Sequence, residues 1–311
     1  MRAVGVTEFG GPDALHIVEL PDPAAGPGEV RIRVRAATVN PTDTGLRSGL
    51  WAARLKDVPP PYIPGMDAAG VIDQVGQGVQ AWSAGDHVMA IVLPFGSHGA
   101  YSELIVVPAE SVARMPAGAS DAEASTLPMN GLTTRQALDL LGLRPGQTLA
   151  VTGAVGAVGG YAVQLGKAEG LRVIADASAA DEALVKDLGA DVVVPRGPEF
   201  AQRVREVVPE GADGVVDAAL LNELTAPAVA DGGGIATLRA FTGEPERGIS
   251  WHPVGVRNYA REQAKLDRLR QQAEDGLVTL RVARTLPAAS APEAHRILQA
   301  GGTRGRLVLE F

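Results

Sequence analysis

Residues 148–165, TLAVTGAVGAVGGYAVQL, constrain the fold of this chain more than any other stretch. The first five are apolar and β-prone and read as a buried strand. Glycines follow at 153, 156, 159 and 160, and YAVQLGKAEG then carries helical periodicity to a stop at Gly170. A strand, a glycine turn and a helix present backbone N–H groups at a helix N-terminus, where they suit a pyrophosphate. Glycine is needed because a Cβ would obstruct the tight turn, the approach of phosphate and the packing of helix on strand. The glycine pattern alone also fits a purely structural βα turn, so its setting has to decide.

The setting favours nucleotide binding. LRVIADAS (171–178) reads as a second strand, ADEALVKDLGA (180–190) as a second helix and DVVVPR (191–196) as the start of a third strand. Two further apolar runs follow, DGVVDAAL (213–220) and GGIATLRA (233–240). A βαβαβ series of this kind is a dinucleotide-binding architecture.

The flanks have another texture. RAVGVTEF and ALHIVELP read as strands on either side of a Gly10-Gly11-Pro12 turn. VRIRVRAATVN (30–40) alternates apolar and charged residues and reads as a half-exposed strand. NPTDTGLRSG (40–49) reads as a turn leaving it. Closely spaced glycines and short apolar runs over 65–108 suit a compact β-barrel-like domain. Helical periodicity takes over at 121–143 and again at 258–276, and the last residues return to the texture of the first 120. The expectation is an α/β protein. A β-barrel domain, 1–122 plus 259–311, carries an inserted doubly wound parallel-sheet domain, 123–258.

At 311 residues the chain is long enough for two domains, and its net charge of −8 argues against nucleic acid or an anionic membrane as a partner. It has no cysteine, which removes disulfides, thiolate catalysis and cysteine-ligated zinc. No apolar stretch approaches ~18 residues and the first residues lack a signal-peptide core, so a cytoplasmic location is expected.

Taken in order, VNPTDTGLRSG (39–49), IPGMDAAGVIDQVGQGV (63–79), GDHV (85–88), GAYSE (99–103), LPMNGLTT (127–134), the glycine turn (151–170), LGAD (188–191) and GRLVLEF (305–311) resemble the medium-chain dehydrogenase/reductase superfamily, specifically its zinc-free NADPH:quinone oxidoreductase branch. The resemblance covers essentially the whole chain. It implies a GroES-like catalytic domain with a Rossmann insertion, NADPH-dependent reduction of quinones or α,β-unsaturated carbonyls, and a homodimer. The zinc-dependent branch carries Gly-His-Glu where this chain has Gly65-Met66-Asp67, and its other ligands are cysteines. Met66 is a poor zinc ligand and Asp67 alone cannot hold a tetrahedral site. The five histidines (16, 87, 98, 252, 295) are scattered, so no metal site is expected. Two other departures are Gly45, where relatives often have a tyrosine, which enlarges the pocket or shifts its polarity, and Leu220, where they commonly have glycine.

Hydride transfer from a dihydronicotinamide needs positioning more than acid–base machinery, and a hydrogen-bond donor stabilises the charge gained by the acceptor oxygen. The resemblance places Asn40 and Asp43 at the floor of the site. Asn40 would hold the nicotinamide or donate to substrate, and Asp43 would orient neighbours. Asn130 and Thr133 resemble residues near the carboxamide. Trp51, Tyr62, Phe95 and Tyr101 could stack on a flat acceptor, and Tyr62 is counted with the catalytic residues. Gly153, Gly156, Ala157, Val158 and Gly159 would cradle the pyrophosphate.

The cofactor's identity turns on the end of the second strand. Asp176 lies 17 residues past Gly159 and would bind ribose hydroxyls, favouring NADH, unless its side chain faces inward. Ser178 would accept a 2′-phosphate, although the lysine that often follows is absent. The family favours NADPH, and Arg239, Arg247 and Arg257 could supply charge. Competing functions are an enoyl-thioester or tailoring reductase of secondary metabolism and a non-catalytic, nucleotide-binding redox sensor.

Overall fold

The computed structural model describes residues 1–311. The chain divides into two units. Met1–Met129, Ala260–Glu274 and Leu280–Phe311 form the first; Asn130–Tyr259 and Asp275–Thr279 form the second.

The first unit is β-rich and antiparallel in all but one pairing. Its centre is the strand Glu29–Thr38, which pairs with Asp67–Val75, Leu104–Pro108 and the last strand, Arg306–Glu310. The alternation read from the sequence is real. Val30, Ile32 and Val34 are buried, while Arg31 and Arg33 both reach Asp73 on the neighbouring strand, at 2.8 and 3.0 Å. Residues 40–49 are a correction to the sequence reading. They form a helix, Pro41–Ser48, and not a turn. Asn-Pro signals a turn, but the same pair also starts a helix when the proline occupies the first helical position, where its missing N–H has no partner to lose. Asn40 is the N-cap, and Gly49, at φ 82, ends the helix.

The second unit holds six parallel strands in the spatial order Val192–Pro195, Arg172–Ala177, Thr148–Thr152, Ala212–Asp217, Val229–Thr237, Ser250–Pro253. In chain order that is 3-2-1-4-5-6, the doubly wound dinucleotide-binding arrangement, with its switch point between the first and fourth strands. Sequence reasoning found the first five strands. It missed the sixth, SWHP, an edge strand too short and polar to show a pattern, and the helix Phe200–Val207. Thr148–Thr152 is buried throughout, as a central parallel strand must be. The helix Ala157–Ala168 follows it through the glycine turn.

Two glycines fix that turn. Gly153 has φ +65, a conformation that disfavours any Cβ. A Cβ on Gly159 would stand 2.3 Å from the carbonyl oxygen of Gly153. The obstructing atoms are backbone, so the helix or the turn would have to move. Gly159→Ala is therefore expected to lower stability by about 1–3 kcal/mol. Gly11→Ala, whose methyl meets nothing within 4 Å, serves as the control. Thermal denaturation of both variants checks this, and equal midpoints would refute it.

Candidate active site

At the carboxyl edge of the parallel sheet, Gly156 is the N-cap of the helix Ala157–Ala168, and Ala157, Val158 and Gly159 form its first turn. Amides in a first turn have no carbonyl four residues back within the helix. A Cβ on Gly156 would meet only the Gly153 oxygen, at 3.1 Å. The surface over the turn is otherwise clear of protein at that point, and with the helix N-terminus it fits a dinucleotide pyrophosphate. The Val158 carbonyl accepts a hydrogen bond from the Thr134 hydroxyl at 3.2 Å, which ties this helix to Pro128–Leu141. Asn130 and Thr133 lie on that second helix, and both are buried.

Asp176 faces inward. It is 3% exposed, and its Oδ1 accepts the Ala154 amide at 3.1 Å. Burial raises its pKa, while the Ala154 and Gly153 amides and the Arg196 charge lower it. The side chain braces the glycine turn from beneath, which corrects its reading as a ribose ligand. Ser178 stays at the strand end and is partly exposed; its hydroxyl donates to Asp181 Oδ2 at 2.6 Å. Beside the switch point, the buried Asp217 accepts from the Thr152 hydroxyl (2.6 Å), the Leu221 amide (3.0 Å) and the Asn222 amide (2.7 Å). The loop it holds contains Leu220 at φ 60 and Asn222 at φ 56.

The first unit contains a buried polar network around the N-terminus of Pro41–Ser48. Asn40 has no exposed surface. Its Nδ2 donates to Asp67 Oδ2 at 2.7 Å and to the Thr38 carbonyl at 3.2 Å, and its Oδ1 accepts from Arg306. That commitment removes Asn40 as a donor to nicotinamide or substrate. Asp43 accepts the Asn40 amide (2.8 Å), the Gly65 amide (3.0 Å) and the Tyr101 hydroxyl (3.1 Å). It orients neighbours and touches no ligand-accessible surface. Burial pushes its pKa up to about 7, against the pull of those three donors. The Tyr101 hydroxyl also meets His295 Nε2 at 3.2 Å, and Arg47 Nη1 lies 3.5 Å from His295 Nδ1. Burial, then the Arg47 charge, lowers the His295 pKa to about 3, so this histidine is neutral.

The aromatic candidates divide. Tyr62 stacks on Phe9 and donates to the Val58 carbonyl at 2.9 Å, and Tyr101 has no exposed surface, so both are packing residues. Trp51 and Phe95 keep exposed area. The space expected above Gly45 is filled. A Cβ there would be 2.9 Å from Trp51 Cη2 and 3.2 Å from Leu50 Cδ2.

The position of the zinc-branch Gly-His-Glu does not fit a metal. Asp67 Oδ1 accepts the Met129 amide at 2.6 Å and Oδ2 accepts Asn40, while the Arg306 charge opposes the burial that raises the Asp67 pKa to about 6. No three His, Cys, Asp or Glu side chains come together in a metal-binding group. Sequence reasoning missed Arg306 and His295 as members of this network, because both join it from the far end of the chain.

Two family descriptions match: the alcohol dehydrogenase GroES-like domain over residues 26–117 and the zinc-binding dehydrogenase over residues 188–309. The rat synaptic vesicle membrane protein VAT-1 homolog is 34% identical over 223 residues, 70% of this chain and 53% of its own length. The chloroplastic quinone-oxidoreductase QR1 of Triphysaria versicolor is 38% identical over 209 residues, 65% of this chain and 63% of its own. The matched segment thus spans between half and two thirds of these relatives. Among solved structures, an NAD-dependent alcohol dehydrogenase superposes with TM-score 0.88 at 32% identity, covering 100% of both chains. A mycobacterial protein in complex with NADPH gives 0.85 at 29%, also covering 100% of both. The JamJ enoyl reductase gives 0.86 at 26%, covering 99% of this chain and 98% of its own.

The buried carboxyls set a pH dependence. The Asp43 pKa is raised from its ordinary 3.8 to about 7 in the fold, so its contribution to stability is complete below 3.8 and is lost as pH rises to about 7. Asp67 acts the same way up to about 6. Urea unfolding of native protein and Asp43→Asn across this range should show the native curve falling more steeply, most clearly between the two values, at about pH 5–6. Parallel curves would contradict the assignment.

Proposed function

The chain belongs to the medium-chain dehydrogenase/reductase superfamily, in its quinone oxidoreductase branch, and on that premise we propose that it is an NADPH-dependent, zinc-independent reductase of quinones or α,β-unsaturated carbonyls. The observation that carries the reading is the glycine turn at the switch point of a 3-2-1-4-5-6 sheet, with a helix N-terminus presented above it. A bound dihydronicotinamide supplies the hydride.

The chain contributes position and a controlled environment. The first-turn residues Ala157, Val158 and Gly159 would hold the cofactor's pyrophosphate through their amides, and Gly153 and Gly156 would leave room for it. Thr133 and Asn130 are assigned to the nicotinamide side by resemblance. Asn40 and Asp43 act as positioning residues that fix the start of Pro41–Ser48. Trp51 and Phe95 are the aromatic side chains left to meet a flat acceptor. Reduction of such an acceptor places charge on its oxygen, which a donor or water then protonates. The Asp67 region holds a hydrogen-bonded Arg306–Asn40–Asp67 set where a Lewis acid would otherwise be held, so the reading includes no metal step. A cytoplasmic homodimer belongs to the same reading; no helix is long and apolar enough to cross a membrane.

A second reading, reduction of enoyl thioesters, draws support from the likeness to the JamJ enoyl reductase. Steady-state oxidation of NADPH against quinones, enones and enoyl thioesters separates the two. Turnover is expected with quinones or enones. Preference for the thioesters would favour the second reading, and binding without turnover of any acceptor would leave a nucleotide sensor.

Chelation gives an independent check. Exhaustive dialysis against EDTA is expected to leave the rate within about twofold, because no side-chain set here meets the ligand requirement for zinc. Loss of activity restored by added zinc would overturn the metal-free reading.

A further inference from the structure

We infer that Arg47, His295, Tyr101 and Asp43 form a one-way hydrogen-bond chain through which protonation of Asp43 loosens Arg47 from the helix Ala291–Ala300, whatever reaction the site performs. Asp43 and Arg47 stand in the first and last turns of Pro41–Ser48, at a spacing where the two side chains could pair directly. They do not. Arg47 is 3% exposed and meets no carboxylate. Its Nε donates to the Gly10 carbonyl at 3.1 Å and its Nη1 to Gln299 Oε1 at 3.4 Å, and Nη1 also lies 3.5 Å from His295 Nδ1. The route from this cation to the carboxylate runs through two neutral side chains. His295 Nε2 lies 3.2 Å from the Tyr101 hydroxyl, which donates to Asp43 Oδ2 at 3.1 Å.

The donors fix where each proton sits. The Asn40 and Gly65 amides can only donate, so ionised Asp43 accepts from both of them and from Tyr101. Burial raises the Tyr101 pKa well above its ordinary 10, so the hydroxyl keeps its single proton and spends it on Asp43. The proton between Tyr101 and His295 then comes from Nε2. His295 is neutral, so its Nδ1 is bare and faces a guanidinium that has only protons to offer. From Arg47 to Asp43 every donor meets an acceptor.

One added proton reverses the chain. Asp43 Oδ1 meets only the Gly65 amide, and Oδ2 meets the Asn40 amide and Tyr101, so the proton can be donated only from Oδ2 to the Tyr101 oxygen. The Tyr101 hydroxyl turns its own proton toward His295 Nε2. The imidazole still carries one proton but exchanges it with water from Nε2 to Nδ1, and the net uptake is the single proton on Asp43. Nδ1–H then faces Arg47 Nη1 donor to donor, and the contact opens, leaving Arg47 the Gly10 carbonyl and Gln299. Three other charges act on the chain. Asp67 favours protonated Asp43, Arg306 draws the Tyr101 pKa down, and Arg47 opposes a charge on His295. Neither Asp67 nor Arg306 hydrogen-bonds to Asp43, so neither gives its proton another acceptor.

Nitrogen NMR of the histidine rings, with carbon NMR of the aspartate carboxyls, tests this on the unliganded protein, with signals assigned through His295→Gln and Asp43→Asn. Above the Asp43 transition, at about 7, His295 should be the Nε2–H tautomer, outnumbering the other about tenfold or more, the range for a hydrogen bond to a charged group. Below it the Nδ1–H form should prevail, with the same midpoint as the Asp43 carboxyl and no imidazolium. The amides of residues 46–49 should exchange with solvent about 2- to 10-fold faster below the transition, after correction for intrinsic rates, the range for one net hydrogen bond. In Tyr101→Phe, Asp43 should still titrate and His295 should no longer respond. An Nδ1–H tautomer at high pH, a tautomer indifferent to the Asp43 transition, an imidazolium forming with it, or unchanged amide exchange would each overturn the inference. So would a His295 response that survives in Tyr101→Phe. The native titration decides alone if that variant does not fold. No cofactor or acceptor enters these measurements, so their outcome is separate from that of the reductase reading.

Discussion

The carboxyl edge of the parallel sheet depends on two buried carboxylates. Asp176, on the second strand, holds the Ala154 amide of the glycine turn. Asp217, on the fourth, holds the Leu221 and Asn222 amides and the Thr152 hydroxyl. A buried amide without a partner costs about 1–3 kcal/mol, so these turns could not close over an apolar sheet unaided. The two devices meet in the middle. Thr152 Oγ1 accepts the Ala219 amide, and a Cβ on Gly153 would stand 3.1 Å from the Ala218 carbonyl carbon. One loop's shape therefore limits the other's. The left-handed Leu220 and Asn222, each a strain of order 1–3 kcal/mol, persist where Asp217 over-determines the backbone. Strained backbone at a switch point is what a site that must meet a ligand with main-chain groups would show.

The first unit uses the same physics for a different end. Asp43, Asp67, Asn40 and Arg306 bury charge and amide groups together and satisfy them mutually. The result ties a helix start, a strand start at Asp67 and the last strand, through Arg306, to one point. A network of this kind is poorly suited to chemistry on a substrate, because its polar atoms are already engaged. It is well suited to defining where neighbouring backbone sits. Asn40 and Asp43 thus matter through placement, and the residue types that suggested catalysis are the ones a buried scaffold also requires.

Much of the second unit was legible because its signals are local. A strand, its turn glycines and the following helix lie within some twenty residues, and their conformations follow from neighbours in sequence. The sixth strand was not legible, since SWHP gains its extended form from pairing with Val229–Thr237. The helix Pro41–Ser48 was misread because Asn-Pro serves both a turn and a helix start, and only the Asp43 carboxylate on the Asn40 amide decides between them. At the candidate site, the glycine turn was readable and the side chains largely were not. Asn40 owes its burial to Arg306, 266 positions away, and Tyr101 owes its role to His295, 194 away. No local pattern carries such information.

The second strand shows most sharply why residue type and spacing fall short. Arg172–Ala177 is buried on both faces from its second residue onward. With no polar face to set direction, the sequence leaves open whether Asp176 points to the turn or to a ligand. The decision falls to the turn, which offers two amides and needs an acceptor beneath it. Once Asp176 is claimed there, its carboxylate faces the turn and not the outside of the sheet edge. Register, and not residue type, brings the Arg196 amide to the Ala177 carbonyl at that strand end. A motif confined to one strand and its loop cannot reveal a residue that arrives from the next strand.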